Sequence, residues 1–283
     1  MKNTFKIIGI LLLTFFSFYY TNKVVELSKS KDPIMIKILK ESKDYTLESV
    51  NATISDDYIT PGVSGKKVDV EKSYEKMKKL GSYNENLLVF INDSPNISIT
   101  NIYDKFVIKG NGEDKEVALV FKVNSNENIK EILSILKNNL VKGTFFVDGK
   151  WAKDNKNVLE EIDNDNHLLA NLGYDNNYGY TNIKKVNQLL KTITNKKINY
   201  CYVSYDNQEV LDNCSKNQMY TIKPIELNDK AIYMDIKNNL SSGNILSVST
   251  NNISIYELDL VIKYIMQKGS DIVSLDELLS EDN

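Results

Sequence analysis

The clearest pattern of hydrophobic and polar positions lies between residues 117 and 151. Residues 117–123 form an apolar, β-branched run broken only by Lys122, which is typical of a strand buried on both faces. Apolar residues then recur at spacings of three and four and share one helix face: Ile129, Ile132, Leu133, Leu136 and Leu140. A second apolar run, residues 144–147, ends at Asp148. The pattern predicts a βαβ unit with parallel strands, whose functional side chains lie at the carboxyl ends of the strands.

The same alternation continues from residue 116 to residue 280. Helical spacing is present at residues 157–162, 182–192, 208–215, 232–240 and 255–268, where Gly269 would act as the last C-cap. Between these helices lie short apolar runs that predict strands at residues 168–172, 198–203, 219–225, 244–249 and 271–274. Alternation at this density predicts an α/β architecture, a (β/α) barrel of about seven strands, over residues 113–283.

Three segments are predicted before the barrel. Residues 1–26 begin with Lys2 and Lys6, continue with an uncharged, mostly apolar run and end without small residues, which predicts an uncleaved membrane anchor with the rest of the chain outside the cytoplasm. Residues 27–50 are polar and rich in lysine, and we interpret them as a stem. Residues 51–112 predict a small α+β domain, with a helix near 70–80 and strands at 87–91, 96–100 and 105–109.

Composition excludes several functional classes. The net charge is −3 and no long basic run is present, so we expect no nucleic-acid partner. The only cysteines, Cys201 and Cys214, are too few for a cysteine zinc site. They form one disulfide if their Cα atoms lie close together; two buried free thiols is the interpretation we favour. His167 is the only histidine, so the chain alone cannot build a site with two imidazoles.

Four stretches resemble a known family in the same order along the chain. Residues 115–124 read KEVALVFKVN, 141–151 VKGTFFVDGKW, 165–176 DNHLLANLGYDN and 268–279 KGSDIVSLDELL. They resemble KVALTFDDGP, KATFFVTGKW, DGHEIGNHGYSH and KGYKFVTLDELL of the polysaccharide deacetylases, carbohydrate esterases related to the Nod-factor deacetylase. The resemblance covers residues 115–279 and implies an irregular (β/α) barrel of the polysaccharide-deacetylase type.

The resemblance also implies where the family's chemistry would lie. The family uses an Asp-His-His metal site and a second Asp as catalytic base. The Asp pair falls on Lys122 and Val123, and the two histidines fall on Leu172 and Asn176. An arginine falls near Tyr200 and a late histidine near Ser249, while His167 matches a packing position. Lys122, Val123 and Leu172 offer no metal-binding lone pairs at neutral pH. We therefore expect a degenerate member with no metal, no cofactor and no deacetylase activity.

Three functions remain open for such a barrel. The first is binding of cell-wall glycan by aromatic and carboxylate side chains at the barrel mouth, with Asp148, Tyr174, Asp175 and Tyr205 as the main candidates and Trp151, Tyr178, Tyr202 and Asp206 beside them. The second is a scaffold that binds an envelope protein. The third is metal-free removal of acetyl groups from N-acetylated polysaccharide by Asp148, Asp175 or Asp206. We expect a single-pass cell-membrane protein whose barrel faces the wall.

Overall fold

The computed structural model describes residues 2–126, 128–250 and 255–282. Two compact units are present: Met1–Ser49 with Ser64–Asp93, and Val50–Val63 with Ser94–Asn283. The helices are α1 (Lys2–Ser30), α2 (Pro33–Glu41), α3 (Val70–Leu80), α4 (Ile129–Asn138), α5 (Gly149–Asp154), α6 (Lys156–Asn164), α7 (Tyr180–Thr194), α8 (Gln208–Lys216), α9 (Ile232–Asn239), α10 (Ile255–Gln267) and α11 (Leu275–Leu278). The strands are β1 (Thr53–Ser55), β2 (Tyr58–Thr60), β3 (Gly65–Val68), β4 (Phe90–Asp93), β5 (Phe106–Val107), β6 (Glu116–Val123), β7 (Thr144–Val147), β8 (Leu168–Asn171), β9 (Tyr200–Tyr202), β10 (Tyr220–Ile222), β11 (Ile225–Glu226), β12 (Ile245–Ser249) and β13 (Asp271–Val273).

The first unit is built from α1, α2, α3 and the antiparallel pair β3–β4. Asp32 caps α2 by accepting a hydrogen bond from the Ile34 backbone N–H, and Pro33 suits the first helical turn. The buried faces of α2 and α3 form a small core from Met35, Ile38, Val68, Tyr74, Met77 and Leu88. The predicted stem at residues 27–50 is therefore largely helical, because its few apolar residues share one face that packs in this core.

The segment predicted to cross the membrane lies within α1. Residue 1 and the side chains of residues 2–7, 9 and 10 lie outside the described residues. In the part of the chain that the structure describes, no helix combines the length and the apolar character that a bilayer crossing needs. The predicted transmembrane helix is therefore not found there.

The second unit contains one eleven-stranded sheet in the order β1-β2-β5-β10-β9-β8-β7-β6-β12-β11, with β13 also paired to β6. All strand pairs are parallel except β1–β2. The outer edge of β10 pairs with β5, so β10 and β11 do not close a ring. The result is a curled, open half-barrel, which corrects the predicted seven-stranded barrel while confirming its parallel α/β character.

Side chains alternate across the sheet and build two cores. The outer face, which includes Leu119, Phe121 and Phe145, packs beneath the helices. The inner face carries Ala118, Val120, Phe146, Ala170, Tyr200 and Tyr202, together with Leu275 and Leu278 of α11. The Leu275 backbone N–H donates to Thr144 Oγ1 at 3.1 Å, at the start of β7. The amino-terminal end of the inner face is therefore filled by α11, and the opposite end remains as a mouth.

Several predicted elements differ from the structure. Residues 96–100 form no strand, and Pro224, which lacks an N–H, separates β10 from β11 within the predicted strand 219–225. Leu140 follows the end of α4 with φ 57° and is 90% exposed, so it is not part of the buried helix face. Residues 50–63 and 94–112 belong to the second unit, where β1, β2 and β5 extend its sheet. Cys201 of β9 and Cys214 of α8 form a disulfide with Cα atoms 6.2 Å apart, contrary to the favoured free thiols.

Candidate functional site at the mouth of the half-barrel

A hydrogen-bonded cluster fills the centre of the mouth. Lys122, the last inward-facing residue of β6, places its Nζ 2.8 Å from Oε2 of Glu226 on β11. The Tyr202 hydroxyl, at the end of β9, donates to Glu226 Oε1 and also contacts the Ser247 hydroxyl of β12. Strands that are distant in sequence bring these side chains together, because parallel strands end at a common edge. Lys122 therefore has an internal carboxylate partner.

Burial and hydrogen bonding determine the protonation of Glu226 and Tyr202 in this cluster. Burial raises the pKa of Glu226, but the hydrogen bonds from Lys122 and Tyr202 outweigh it and hold that pKa below its usual value. Burial, reinforced by the neighbouring Glu226 carboxylate, raises the pKa of the Tyr202 phenol far above its usual value. A neutral phenol thus donates to an ionised carboxylate. The Lys122 ammonium also lies 5.5 Å from the Tyr202 ring centroid, which adds a cation–π contact.

Both carboxylate oxygens of Asp148, at the end of β7, accept hydrogen bonds from nearby backbone N–H groups. Its Oδ1 accepts from the backbone N–H groups of Lys150 and Trp151 at 2.8 and 3.1 Å, which caps α5. Its Oδ2 accepts from the Asp175 backbone N–H at 2.7 Å, and the residue is 7% exposed. With both oxygens occupied by backbone donors, Asp148 is a positioning residue for the mouth rather than a free general base.

A tight turn follows β8 and forms one wall of the mouth. Tyr174 pairs with Asn177, and the two residues between them, Asp175 and Asn176, have φ values of 52° and 59°. This is the left-handed geometry of a two-residue hairpin turn, which Asn and Asp tolerate well. The Asp175 carboxylate forms an ion pair with Lys150 at 3.0 Å. Both turn side chains are exposed to the mouth.

The positions where the resemblance expects metal donors do not fit a metal ion. Val123 is fully buried in the outer core, Leu172 packs against the inner core, and Lys122 is a cation. Only the Asn176 amide offers an oxygen, and one amide does not make a metal site. In the described part of the chain, no group of three or more His, Cys, Asp and Glu side chains is placed to hold a metal.

Two polar cavities share the Asp175–Asn176 turn. One, of 380 Å³, is lined by Asn124, Asp148, Lys150, Trp151, Asp154, Asn155, Asp175 and Asn176. The other, of 460 Å³, is lined by Asp175, Asn176, Asn177, Tyr178, Gly179, Asn207, Glu209, Val210 and Asn213. Both fall in the size range of small-ligand sites, and amide and carboxylate groups dominate their walls. Such groups can hydrogen-bond a hydroxyl-rich ligand.

The structure brings only some of the predicted site residues together. Asp148 and Asp175 line the first cavity, while Tyr174 lines a separate groove on the flank. Tyr205 is 68% exposed and lines neither cavity. Trp151 lines the first cavity but is only 8% exposed, and it donates from Nε1 to Asn126 Oδ1 at 2.8 Å, so little of its ring is available to a ligand.

Other predicted residues have structural partners. Asp206 accepts from Lys223 at 2.8 Å and from the Tyr58 hydroxyl at 2.7 Å, and these contacts lower its pKa. Asp148, Asp175 and Asp206 are thus each engaged elsewhere, which argues against an acid–base pair among them. Tyr200 donates to Asp276 of α11 at 2.7 Å, at the end of the half-barrel opposite the mouth. Ser249 lies opposite Lys122 in register and therefore reaches the mouth.

Sequence reasoning missed Glu226 and Ser247, the partners of Lys122 and Tyr202. Glu226 belongs to a strand of two residues, which has no periodicity to detect. Ser247 is a small polar residue inside an apolar strand and has no motif of its own. An unpaired lysine in an otherwise apolar buried strand was the available signal that a carboxylate partner had to exist.

Comparison with known proteins identifies a matching family model and related sequences. Residues 109–217 match the family model of the polysaccharide deacetylases. The chain is 33% identical over 153 residues to the uncharacterized protein YlxY of Bacillus subtilis, covering 53% of this chain and 48% of YlxY. It is 34% identical over 76 residues to the peptidoglycan-N-acetylmuramic acid deacetylase PdaA of the same organism, covering 26% of this chain and 28% of PdaA. The matches span about half or less of these curated relatives.

Among solved structures, the fold is similar to that of BA3943, a CE4 family pseudoenzyme from Bacillus anthracis. The wild-type structure matches with a TM-score of 0.69 and 26% identity, covering 89% of this chain and 97% of that chain. A mutant of BA3943 described as having restored enzymatic activity matches with the same TM-score of 0.69 and covers 89% of this chain. The structural similarity thus extends well beyond residues 109–217.

Proposed function

We propose that the chain carries a degenerate polysaccharide deacetylase domain, which the family match over residues 109–217 supports, and that it binds cell-wall glycan at the mouth of the half-barrel without deacetylating it. The observation that carries the proposal is the pair of polar cavities around the Asp175–Asn176 turn. Glycan hydroxyls and amides find donors and acceptors there, whereas the family's metal and base positions hold Lys122, Val123, Leu172 and Asn176. PdaA, a relative that acts on peptidoglycan, makes peptidoglycan the polymer to test first.

The internal ion pair supports a binding role over catalysis. Deacetylation by this family requires a metal-activated water and a free carboxylate base. At the base position the Lys122 ammonium is instead neutralised by Glu226, and Tyr202 and Ser247 complete that network. The inner end of the mouth is thereby occupied by protein side chains. A ligand is left with the outer walls, where the two cavities lie.

Glycan binding is tested by removing the turn side chains without straining the backbone. Glycine accepts a positive φ freely, so Asp175→Gly/Asn176→Gly deletes both side chains and preserves the turn. We expect its retention on insoluble peptidoglycan to weaken about tenfold, because two or more hydrogen bonds to the ligand are lost. The measurement is sedimentation of purified protein with peptidoglycan, in competition with soluble glycan.

Asn195→Gly is the matched control for this experiment. Asn195 has φ 53° at the carboxyl end of α7, outside both cavities, so the same substitution should leave retention unchanged. Unchanged retention of the turn variant would reject the mouth as the binding surface. If the wild-type protein itself is not retained, the scaffold hypothesis, in which the half-barrel binds an envelope protein, replaces the glycan proposal.

We also propose that the protein is held at the cell membrane through its amino-terminal segment, with both units outside the cytoplasm. The Cys201–Cys214 disulfide supports this location, since disulfides persist in oxidising compartments. We expect the full chain in the membrane fraction and degraded by protease added to intact protoplasts, while a chain lacking residues 1–26 is absent from that fraction. A full chain that stays protease-protected inside the cell would contradict the proposal.

A further inference from the structure

A groove on the flank of the half-barrel has an apolar floor and a positively charged rim. It occupies 370 Å³ between α5, α6 and α7. Val186, Leu189 and the ring of Tyr174 line the floor, and Lys153, Lys156 and Lys185 stand around it. Val186 is buried, Leu189 and Tyr174 are half-buried, and the three lysines are exposed. The groove therefore offers an alkyl-sized hollow surrounded by ammonium groups.

The floor of the groove is tightly packed. Gly149 begins α5, where a Cβ would lie 2.3 Å from Val186 Cγ2 and 2.8 Å from Tyr174 Cδ2. Only a glycine permits this approach, because real Cβ atoms do not come so close to other atoms. The same Gly149 donates its backbone N–H to Gly173 O at 2.8 Å, which ties α5 to the turn after β8. The groove is thus a fixed feature of the packing between α5 and α7.

Among the described residues, no carboxylate forms an ion pair with the three lysines of the rim. Lys150, one turn away, is paired with Asp175, but none of the three rim lysines has an ion-pair or hydrogen-bond partner within the described ranges. Three unpaired ammonium groups around an apolar hollow complement an anionic ligand that also carries alkyl groups. A polymer of N-acetylglucosamine alone, which has no carboxylate, does not match the charge of this surface.

We propose that this groove binds the carboxylate-bearing peptide branches of the same wall polymer whose glycan lies in the mouth. The proposal rests on the proposed glycan-binding function. Tyr174 faces the groove, and the next two residues, Asp175 and Asn176, line the mouth cavities. One hairpin turn therefore separates the two surfaces. A glycan strand held at the mouth would bring a short acidic peptide branch within reach of Lys153, Lys156 and Lys185.

The test compares three soluble probes with the full chain: peptidoglycan fragments with their peptides, the same fragments after enzymatic removal of the peptides, and the released peptides. The wild-type protein should bind the peptide-bearing fragments about tenfold more tightly than the stripped ones, and high salt should abolish that preference. Lys156→Glu/Lys185→Glu should lose the preference and keep its binding to stripped fragments. Lys156→Arg/Lys185→Arg keeps the charges and should restore it.

Lys191→Glu is the control, because Lys191 lies exposed on α7 outside the groove. Equal wild-type binding to intact and stripped fragments overturns the groove proposal and leaves glycan binding standing. A preference that survives the double reversal overturns it as well. Binding of intact fragments and released peptides without binding of stripped fragments supports the groove and rejects glycan binding at the mouth. Failure to bind any probe overturns both.

Discussion

The free energy of unfolding is expected to fall by about 3 kcal/mol between pH 7 and pH 4 through one side chain, His167. Burial, with a smaller contribution from the Lys142 ammonium, lowers the pKa of His167 from an ordinary 6.5 to about 4, while Asp165 opposes the shift. The side chain is 3% exposed, its Nδ1 accepts from the Gly143 backbone N–H, and it packs against Phe145. Protonating the imidazole there would bury a positive charge, which is unfavourable.

The sign of the effect follows from proton binding. Between pH 6.5 and 4 the unfolded chain binds a proton at His167 and the folded chain does not, so acid favours unfolding. The contribution is complete above pH 6.5, declines as the pH falls through that window and is lost below about 4. His167, which matches a packing position of the family, thus makes the stability of the folded chain sensitive to acid.

Urea unfolding of the wild-type protein and of His167→Asn, measured from pH 7.5 to pH 4, checks this prediction. Asparagine keeps an acceptor for the Gly143 N–H but does not titrate in that range. The variant should be less stable at pH 7, because the smaller side chain leaves a cavity. It should also lack the fall in the free energy of unfolding that protonation of His167 causes. The stability curves of the two proteins should therefore converge in acid. Parallel curves would show that His167 does not titrate as inferred.

Loss of the Cys201–Cys214 bond is expected to lower the free energy of unfolding by about 3 kcal/mol. The bridge closes a loop with a sequence separation of 13 residues and joins β9 to α8. In the loop-entropy description, cross-linking a loop of this length restricts the unfolded chain by that amount. Both cysteines are fully buried, so the bridge also fills part of the outer core.

The measurement compares wild-type protein with and without reductant and Cys201→Ala/Cys214→Ala under the same conditions. Alanine avoids the buried, unpaired hydroxyl that serine would introduce. Reductant should lower the urea midpoint of the wild-type protein towards that of the double variant and should not change the variant. A wild-type midpoint that ignores reductant, under conditions where free thiols are detected after unfolding, would contradict the predicted stabilisation.

The internal partner of Lys122 shows how a degenerate site can remain well ordered. A lysine facing the interior of a barrel is costly unless a counter-charge and hydrogen bonds surround it. Glu226, Tyr202 and Ser247 provide both. Since the two charged side chains are 27% and 34% exposed, solvent screens their attraction, and the pair contributes modestly to stability. Its consequence is mainly spatial, because the pair occupies the inner end of the mouth.

Local patterns determined most of the βαβ elements in advance. The apolar run of β6 and the spacing of Ile129, Ile132, Leu133 and Leu136 are buried as predicted. Strand and helix periods are short-range properties, so a window of ten residues contains them. The same holds for the absence of metal donors at Lys122, Val123 and Leu172, which is a matter of residue type alone. The resemblance to polysaccharide deacetylases, and the prediction of a degenerate member, followed from these residues and motifs.

Tertiary structure alone decided which residues meet. Pairing of β10 with β5 opened the predicted barrel, and it depends on contacts more than a hundred residues apart in the chain. The same long-range packing bonded Cys201 to Cys214, paired Lys122 with Glu226, and separated Tyr174 from Asp175 onto different surfaces. The sequence specifies which side chains are available, but the curvature of the sheet and the packing of helices against it determine which of them meet. For this protein, residue types placed no metal donor at Lys122, Val123 and Leu172, and only the fold showed that Glu226 is the partner of Lys122.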